Sequence, residues 1–321
     1  MSQPRIASVV QTGSILLDTP QTMEKLTDLA ADARRAGAQL AVFPEAFVGG
    51  YPKGWRFGVS LGRRSAEGRE AFRQYADSAV TVPGPEMETI ARVARDCCLD
   101  LAVGVIERDA TTLYCTVVFC NAAGQYLGKH RKVMPTALER VIWGAGDGST
   151  LSVIETRLGR TGAVICWENY MPQLRMAMYD QGIEIYCAPT VDDRETWIPT
   201  MRHIAVEGRC FVLSACQFLP ALNEADSPNE PPVPLIRGGS CIVSPFGELL
   251  AGPVYGTEQI LTAEIDLADI TRGRFDLDVT GHYARPDLFQ LYVNRQEQRA
   301  VRDCVADQSW PPGGQDPSNS G

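Results

Sequence analysis

Short runs of consecutive apolar residues, such as Leu40-Ala41-Val42-Phe43 and Ala163-Val164-Ile165, recur along the chain without the alternation of a half-exposed strand. Runs of this length predict strands covered on both faces. Between them lie segments whose apolar positions return at helical spacing. The pattern predicts strands over residues 6–11, 39–43, 101–107, 113–121, 126–134, 151–155, 162–166, 183–188, 210–217, 239–243 and 259–266. It predicts helices over 21–36, 85–98, 172–181 and 195–208. Asn121-Ala122-Ala123-Gly124 supplies turn chemistry for a hairpin between two of the strands. Hairpins mixed with helical crossovers imply mixed sheets. The α/β architecture that buries such strands is two stacked sheets with helices packed outside. Residues 219–237 carry five prolines and read as a long ordered loop of functional or interfacial use. The tail over 307–321, rich in Pro, Gly and Ser, reads as disordered.

Composition narrows the partners. The 321 residues are 45% hydrophobic and 21% charged, ordinary for a soluble globular chain of one or two domains. A formal net charge of -9 argues against a nucleic-acid or anionic-membrane partner. The one compact basic run, Lys129-His130-Arg131-Lys132, is too short to reverse that field. No apolar stretch approaches the ~20 residues that span a bilayer. The start, Met1-Ser2-Gln3-Pro4-Arg5, runs straight into a strand-like segment, so no signal peptide is expected. The ten cysteines include no C-x-x-C pair, and the three histidines form no zinc-like pair. Scattered thiols fit a reducing cytosol, with neither a disulfide framework nor a structural metal expected.

Three segments carry candidate chemistry. In Ala163-Val164-Ile165-Cys166-Trp167-Glu168-Asn169, a buried strand ends at a thiol and Pro172 can open a helix beyond the turn. A helix N-terminus nearby favours thiolate. A cysteine is ordinarily a small inert core residue. The polar sequel Glu168-Asn169 is what sets this one apart, because a sealed core does not accept such residues cheaply. In Leu40-Ala41-Val42-Phe43-Pro44-Glu45, a carboxylate follows another buried strand. Glu45 is either a solvated turn acid or, if partly buried in the same crevice, a base of raised pKa. In the run 129–132, alternation separates Lys129 and Arg131 from His130 and Lys132. An inward Lys132 would hold a transient anion, and Glu139 either forms a plain salt bridge or orients it. A Cys–His pair would need His130, His203 or His282, none with an evident orienting partner. Gly144-Ala145-Gly146-Asp147-Gly148 lacks phosphate-loop spacing, and no G-x-S-x-G elbow is present.

Phe43-Pro44-Glu45, His130-Arg131-Lys132-Val133-Met134-Pro135-Thr136 and Cys166-Trp167-Glu168-Asn169 together resemble the nitrilase superfamily of carbon-nitrogen hydrolases, in order and spacing, from about Arg5 to Phe289. Cys-Trp-Glu-Asn is similar to the nitrilase branch, as are Gly49-Gly50-Tyr51-Pro52, Asp192-Asp193-Arg194-Glu195-Thr196-Trp197, Met201-Arg202-His203 and Gly281-His282-Tyr283-Ala284-Arg285-Pro286. The resemblance extends to plant-like bacterial members. It implies one domain over 1–306, an α-β-β-α sandwich pairing into a four-layer homodimer, with larger spirals left open. It implies Cys166 as nucleophile, Glu45 as general base, Lys132 as stabilising acid, Glu139 as supporting carboxylate and the Trp167 N–H at the transient anion. No cofactor or metal is needed for that chemistry.

The expected activity is cytoplasmic hydrolysis of a small organic nitrile, aliphatic or arylaliphatic, to acid and ammonia through a thioimidate and a thioester. Tyr51, Trp55, Tyr170, Thr190 and Trp197 are the candidate pocket residues. Two alternatives stay open: an amide or N-carbamoyl hydrolase using the same residues, and a catalytically idle filament-forming protein.

Overall fold

The computed structural model describes residues 5–221 and 233–301. Its first half runs β1 (Arg5–Gln11), α1 (Thr19–Arg35), β2 (Leu40–Val42), α2 (Ala66–Asp77), α3 (Pro85–Asp96), β3 (Asp100–Asp109), β4 (Thr112–Cys120), β5 (Tyr126–Arg131) and α4 (Glu139–Ile142). The second half runs β6 (Ile154–Thr156), β7 (Gly159–Ala163), α5 (Pro172–Tyr179), β8 (Ile185–Cys187), α6 (Trp197–Gly208), β9 (Phe211–Ser214), β10 (Phe218–Leu219), β11 (Ile236–Val243), β12 (Leu249–Tyr255), β13 (Gln259–Ile265) and α7 (Ala268–Asp276).

Local sequence explains the helices. Asp18 caps α1 by accepting from the Gln21 N–H at 2.9 Å, Pro20 lies in the first turn, and Arg34 and Arg35 close the last. Met23, Leu26, Ala30 and Ala33 form its buried stripe. Helix α3 repeats the design, with Pro85 first, Glu86 and Glu88 in the first turn and Met87, Ile90, Val93 and Ala94 buried.

Two mixed sheets result. One has the order β13-β1-β2-β3-β4-β5, with β1, β2 and β3 parallel. The other has the order β10-β11-β9-β8-β7-β6, with β12 paired to β11 and with β7, β8 and β9 parallel. Within the uninterrupted run 40–43, Leu40 and Val42 face the opposite sheet while Ala41 and Phe43 face α1 and α3. Ile185 and Cys187 likewise point between the sheets, and Tyr186 and Ala188 toward α5 and α6. Helices outside two stacked sheets are therefore what the pattern demanded. Each fully buried Leu, Ile or Phe in these layers contributes about 1.5–3 kcal/mol. No helix among the described residues is long and apolar enough to cross a membrane.

The differences from the expected elements are local. The strand expected over 162–166 ends at Ala163, and that over 126–134 ends at Arg131, so Cys166 and Lys132 lie beyond their strands. Both ends of the expected loop 219–237 are strand residues of β10 and β11, and 222–232 lie outside the described residues, as does the tail 307–321. Helix α2 had no legible stripe, because only Gly68 and Tyr75 of it are buried; the Ser65 cap accepts from the Gly68 N–H at 3.0 Å.

Alternation does split the basic run. Lys129 and Arg131 converge on Glu107, at 2.5 and 2.6 Å, with Thr116 donating to the same carboxylate at 2.9 Å. Burial would raise the Glu107 pKa, but Arg131 and Lys129 pull it below its ordinary 4.5. A carboxyl held below its unfolded value adds stability that is present above that value and lost as pH falls through the lower, folded-state one. Glu107→Gln is therefore expected to lower unfolding free energy by about 2–3 kcal/mol near neutral pH. In urea titrations the gap to the wild type should close as pH falls below about 4.5. A gap that stays constant across that range would contradict the assignment.

Candidate active site

Glu45 is held by a sharp turn at the end of β2. The Phe43 N–H donates to Ala102 O at 2.8 Å, the Val48 N–H to Gly104 O at 3.0 Å, and Ala46 between them takes φ 51°. The turn lies so close to β3 that a Cβ at Gly104 would stand 2.0 Å from Pro44 O, which only glycine permits. Gln217, from the connection between β9 and β10 of the other sheet, donates to Glu45 O at 2.7 Å.

Cys166 stands three residues past β7, at the head of a short 3-10 helix (Cys166–Tyr170). Its N–H donates to Pro189 O at 2.9 Å and its φ is 51°. A left-handed non-glycine residue costs about 1–2 kcal/mol and persists only where its surroundings enforce it. Asn169 is one enforcer, its amide donating to Val164 O at 2.9 Å and Cys166 O at 2.8 Å. Lys132 is anchored by its N–H to Cys115 O and by Gly146 N–H to its own carbonyl, both at 2.8 Å. Glu139 opens α4.

These four side chains meet between the sheets. Lys132 Nζ lies 2.6 Å from Glu45 Oε1 and 2.8 Å from Glu139 Oε2, and the Lys132 and Glu45 side chains are wholly enclosed. Glu139 also accepts from the Tyr51 hydroxyl at 2.9 Å and the Thr136 N–H at 2.7 Å. Among the described residues Glu45 Oε2 has no hydrogen-bond partner. Burial raises the Glu45 pKa, Lys132 works against that and Glu139 reinforces it, so the net shift is upward. Burial alone would lower Lys132, but Glu45, Cys166, Cys115 and Glu139 attract its charge and hold it well above the ordinary range.

The surroundings of Cys166, the candidate nucleophile, favour the thiol over the thiolate. Burial and the Glu45 carboxylate push Cys166 up, against the opposing pull of Lys132 and the Thr190 hydroxyl that donates to Sγ at 3.2 Å. This corrects the expectation that a helix N-terminus would favour thiolate: enclosure and a neighbouring carboxylate outweigh the short turn. The polar sequel needs correction too. Glu168 and the Asn169 amide N–H are buried and bonded to neighbouring protein groups, with Asn169 Oδ1 left unpaired among the described residues, so they belong to an internal network and not to an open crevice. His130 does have a partner, Glu168 Oε2 at 3.0 Å.

A crevice of about 290 Å³ opens over Cys166, lined among others by Tyr51, Lys53, Glu139, Trp167, Asp192 and Arg194. Tyr51, Lys53, Thr136 and Glu139 also line an adjoining chamber of about 400 Å³, walled by Trp55, Phe57, Ile142 and Trp143. Of the residues expected to touch substrate, Tyr51 and Thr190 stand at the reacting groups and Trp55 stands in the second chamber. Tyr170 packs edge-on to Trp167 at 5.8 Å and does not line the crevice. Trp197 is a core residue: it is 1% exposed, its indole donates to Ser214 Oγ at 2.9 Å, and it shares the inner face of α6 with Met201, Ile204 and Ala205.

Some participants were not foreseen. Cys115 donates to Glu45 Oε1 at 3.6 Å from full burial, although it reads in sequence as one thiol in an apolar run. Arg194 clamps Asp192 and lies 4.4 Å over the Trp167 ring, while Asp192 accepts from the Trp167 indole at 2.9 Å. The arrangement is competent for base-assisted addition of a thiol to an electrophilic carbon, with a fixed cation beside the developing charge.

Residues 6–275 match the carbon-nitrogen hydrolase family. A nitrilase from Bradyrhizobium diazoefficiens is 56% identical over 305 residues, covering 94% of this chain and 95% of that protein. A bifunctional nitrilase/nitrile hydratase from Nicotiana tabacum is 55% identical over 296 residues, 89% of this chain and 85% of that one. Among solved structures, the C. elegans NitFhit protein superposes with a TM-score of 0.70 at 20% identity, over 94% of this chain and 70% of that one, a likeness of fold.

Proposed function

The chain belongs to the carbon-nitrogen hydrolase family, and from that premise we propose that it is a nitrilase converting an organic nitrile and two waters to a carboxylic acid and ammonia on Cys166. The observation that carries this reading is the enclosed Glu45–Lys132–Glu139 ion cluster set against a buried thiol. The relatives named as nitrilases support it.

Glu45 takes the Cys166 proton as sulfur adds to the nitrile carbon, and nitrogen is protonated to give a thioimidate. Lys132 and the Trp167 N–H hold the transient negative charge. Water, deprotonated by Glu45, adds to give a tetrahedral carbon bearing hydroxyl, amine and sulfur. Protonation of the amine expels ammonia and leaves a thioester, which a second water cleaves to the acid, returning the proton to sulfur. A base of raised pKa suits both water steps, and Glu139, tied to Lys132 and Tyr51, keeps the ammonium in place.

The two joined chambers favour nitriles with an apolar group some carbons from the C≡N: the reacting end fills the 290 Å³ crevice and the remote end meets Trp55 and Phe57. In a panel of short aliphatic and arylaliphatic nitriles with their amides, nitriles are expected to show the higher kcat/KM. Faster turnover of the amides would move the assignment to an amide or carbamoyl hydrolase. Trp55→Ala should raise KM for arylaliphatic nitriles about tenfold and leave short ones within about twofold.

A further inference from the structure

Glu168 and His130 are buried, polar and idle in the chemistry above. The Glu168 side chain is wholly enclosed, yet every contact it makes is to a segment carrying a reacting group. Its Oε2 accepts from the Ile165 N–H at 2.8 Å and lies 3.0 Å from His130 Nε2, while Oε1 accepts from the Val133 N–H at 2.5 Å. Ile165 immediately precedes Cys166, and Val133 immediately follows Lys132. The two segments leave different sheets, β7 in one and β5 in the other, so no strand ladder joins them. One carboxylate therefore spans the gap between nucleophile and cation. Among the described residues His130 Nδ1 has no partner, so the ring acts through Nε2 and donates there to the carboxylate.

We propose that Glu168, with His130, is a positioning residue that fixes the Lys132–Cys166 separation and thereby decides whether the tetrahedral intermediate yields acid or amide. The proposal rests on the nitrilase reading above. Breaking the C–N bond releases ammonia only once nitrogen has received a proton from the acid form of the site, and it leaves the thioester. Breaking the C–S bond returns the electron pair to sulfur, the hydroxyl proton passes to that sulfur by way of Glu45, and the amide departs. The first channel needs a proton donor held at nitrogen; the second needs only a cation near sulfur. A loosened brace penalises the first channel more.

The test is the amide fraction of product, a per-turnover quantity that a misfolded subpopulation cannot move. Glu168→Gln keeps the size of the side chain but sets an amide N–H against one of its donors. It is expected to raise the amide fraction at least about threefold and to lower kcat about 10–100-fold, with KM within about twofold. His130→Leu should shift the fraction in the same direction, and His130→Gln, whose amide can donate to the same oxygen, should recover most of that shift. A folded Glu168→Gln enzyme with reduced rate and the wild-type fraction overturns the proposal. If that variant does not fold, His130→Leu decides by the same measure. If the wild type makes neither acid nor amide from nitriles, it is the nitrilase reading that fails. The brace is then judged by Cys166 alkylation with iodoacetamide, which should slow about tenfold in Glu168→Gln; an unchanged rate overturns it.

Discussion

Replacing Cys166 with alanine is expected to remove nitrile turnover, by about 10⁵-fold or more, while leaving the fold intact. The size of the effect follows from covalency: without sulfur no thioimidate forms, and Glu45 and Lys132 alone face a nitrile carbon that water attacks poorly. Stability should change by no more than about 1 kcal/mol, because alanine keeps the Cβ and the same left-handed conformation and loses only one buried atom. Thermal denaturation and ammonia release measured on one preparation check both halves. An alanine variant that keeps a tenth of wild-type activity would remove Cys166 from the mechanism.

Lys132→Met is the second large effect, and it acts on rate and stability together. The methionine fills the same volume without charge, so Glu45 and Glu139 are left enclosed with no cation. Loss of the fixed charge should lower kcat by about 10³-fold. Breaking a buried ion cluster on one side should cost about 3–5 kcal/mol of stability. As with Glu107→Gln the deficit closes on acidification, but here the window lies above 4.5 and not below it. Glu45 already titrates above 4.5 because burial outweighs Lys132, and removing Lys132 raises it further. A carboxyl of raised pKa is best tolerated protonated, so the deficit should be full above the raised value and shrink as pH falls toward 4.5. The acid limb of kcat/KM should move upward in the variant for the same reason. A deficit that grows on acidification would contradict this account.

Much of this was legible because the candidate residues Glu45 and Cys166 follow buried strands. The runs before Glu45 and Cys166 announce strands covered on both faces, and whatever follows such a strand emerges beyond the strand ends, where a site can form. Glu45, Lys132, Glu139 and Cys166 do meet there. What stayed hidden depends on tertiary detail. Cys115 lies beside Lys132 only because a bulge between Phe119 and Cys120 shifts the β4–β5 register by one residue, and no turn motif predicts that shift. A buried Glu168 charge is costly, and of the three donors that offset the cost only Ile165 is near in sequence; His130 and Val133 come from a distant segment. Trp197 is a candidate pocket residue by sequence, but the spacing of Met201, Ile204 and Ala205 already marks it as inward-facing.

The most direct test of the central claim is mass spectrometry of the protein quenched during turnover of a nitrile that it hydrolyses. The account predicts an adduct of the substrate's acyl or imidoyl mass, mapped to the peptide containing Cys166 and absent from Cys166→Ala. Turnover with no adduct under any quench, or an adduct on another residue, would contradict it.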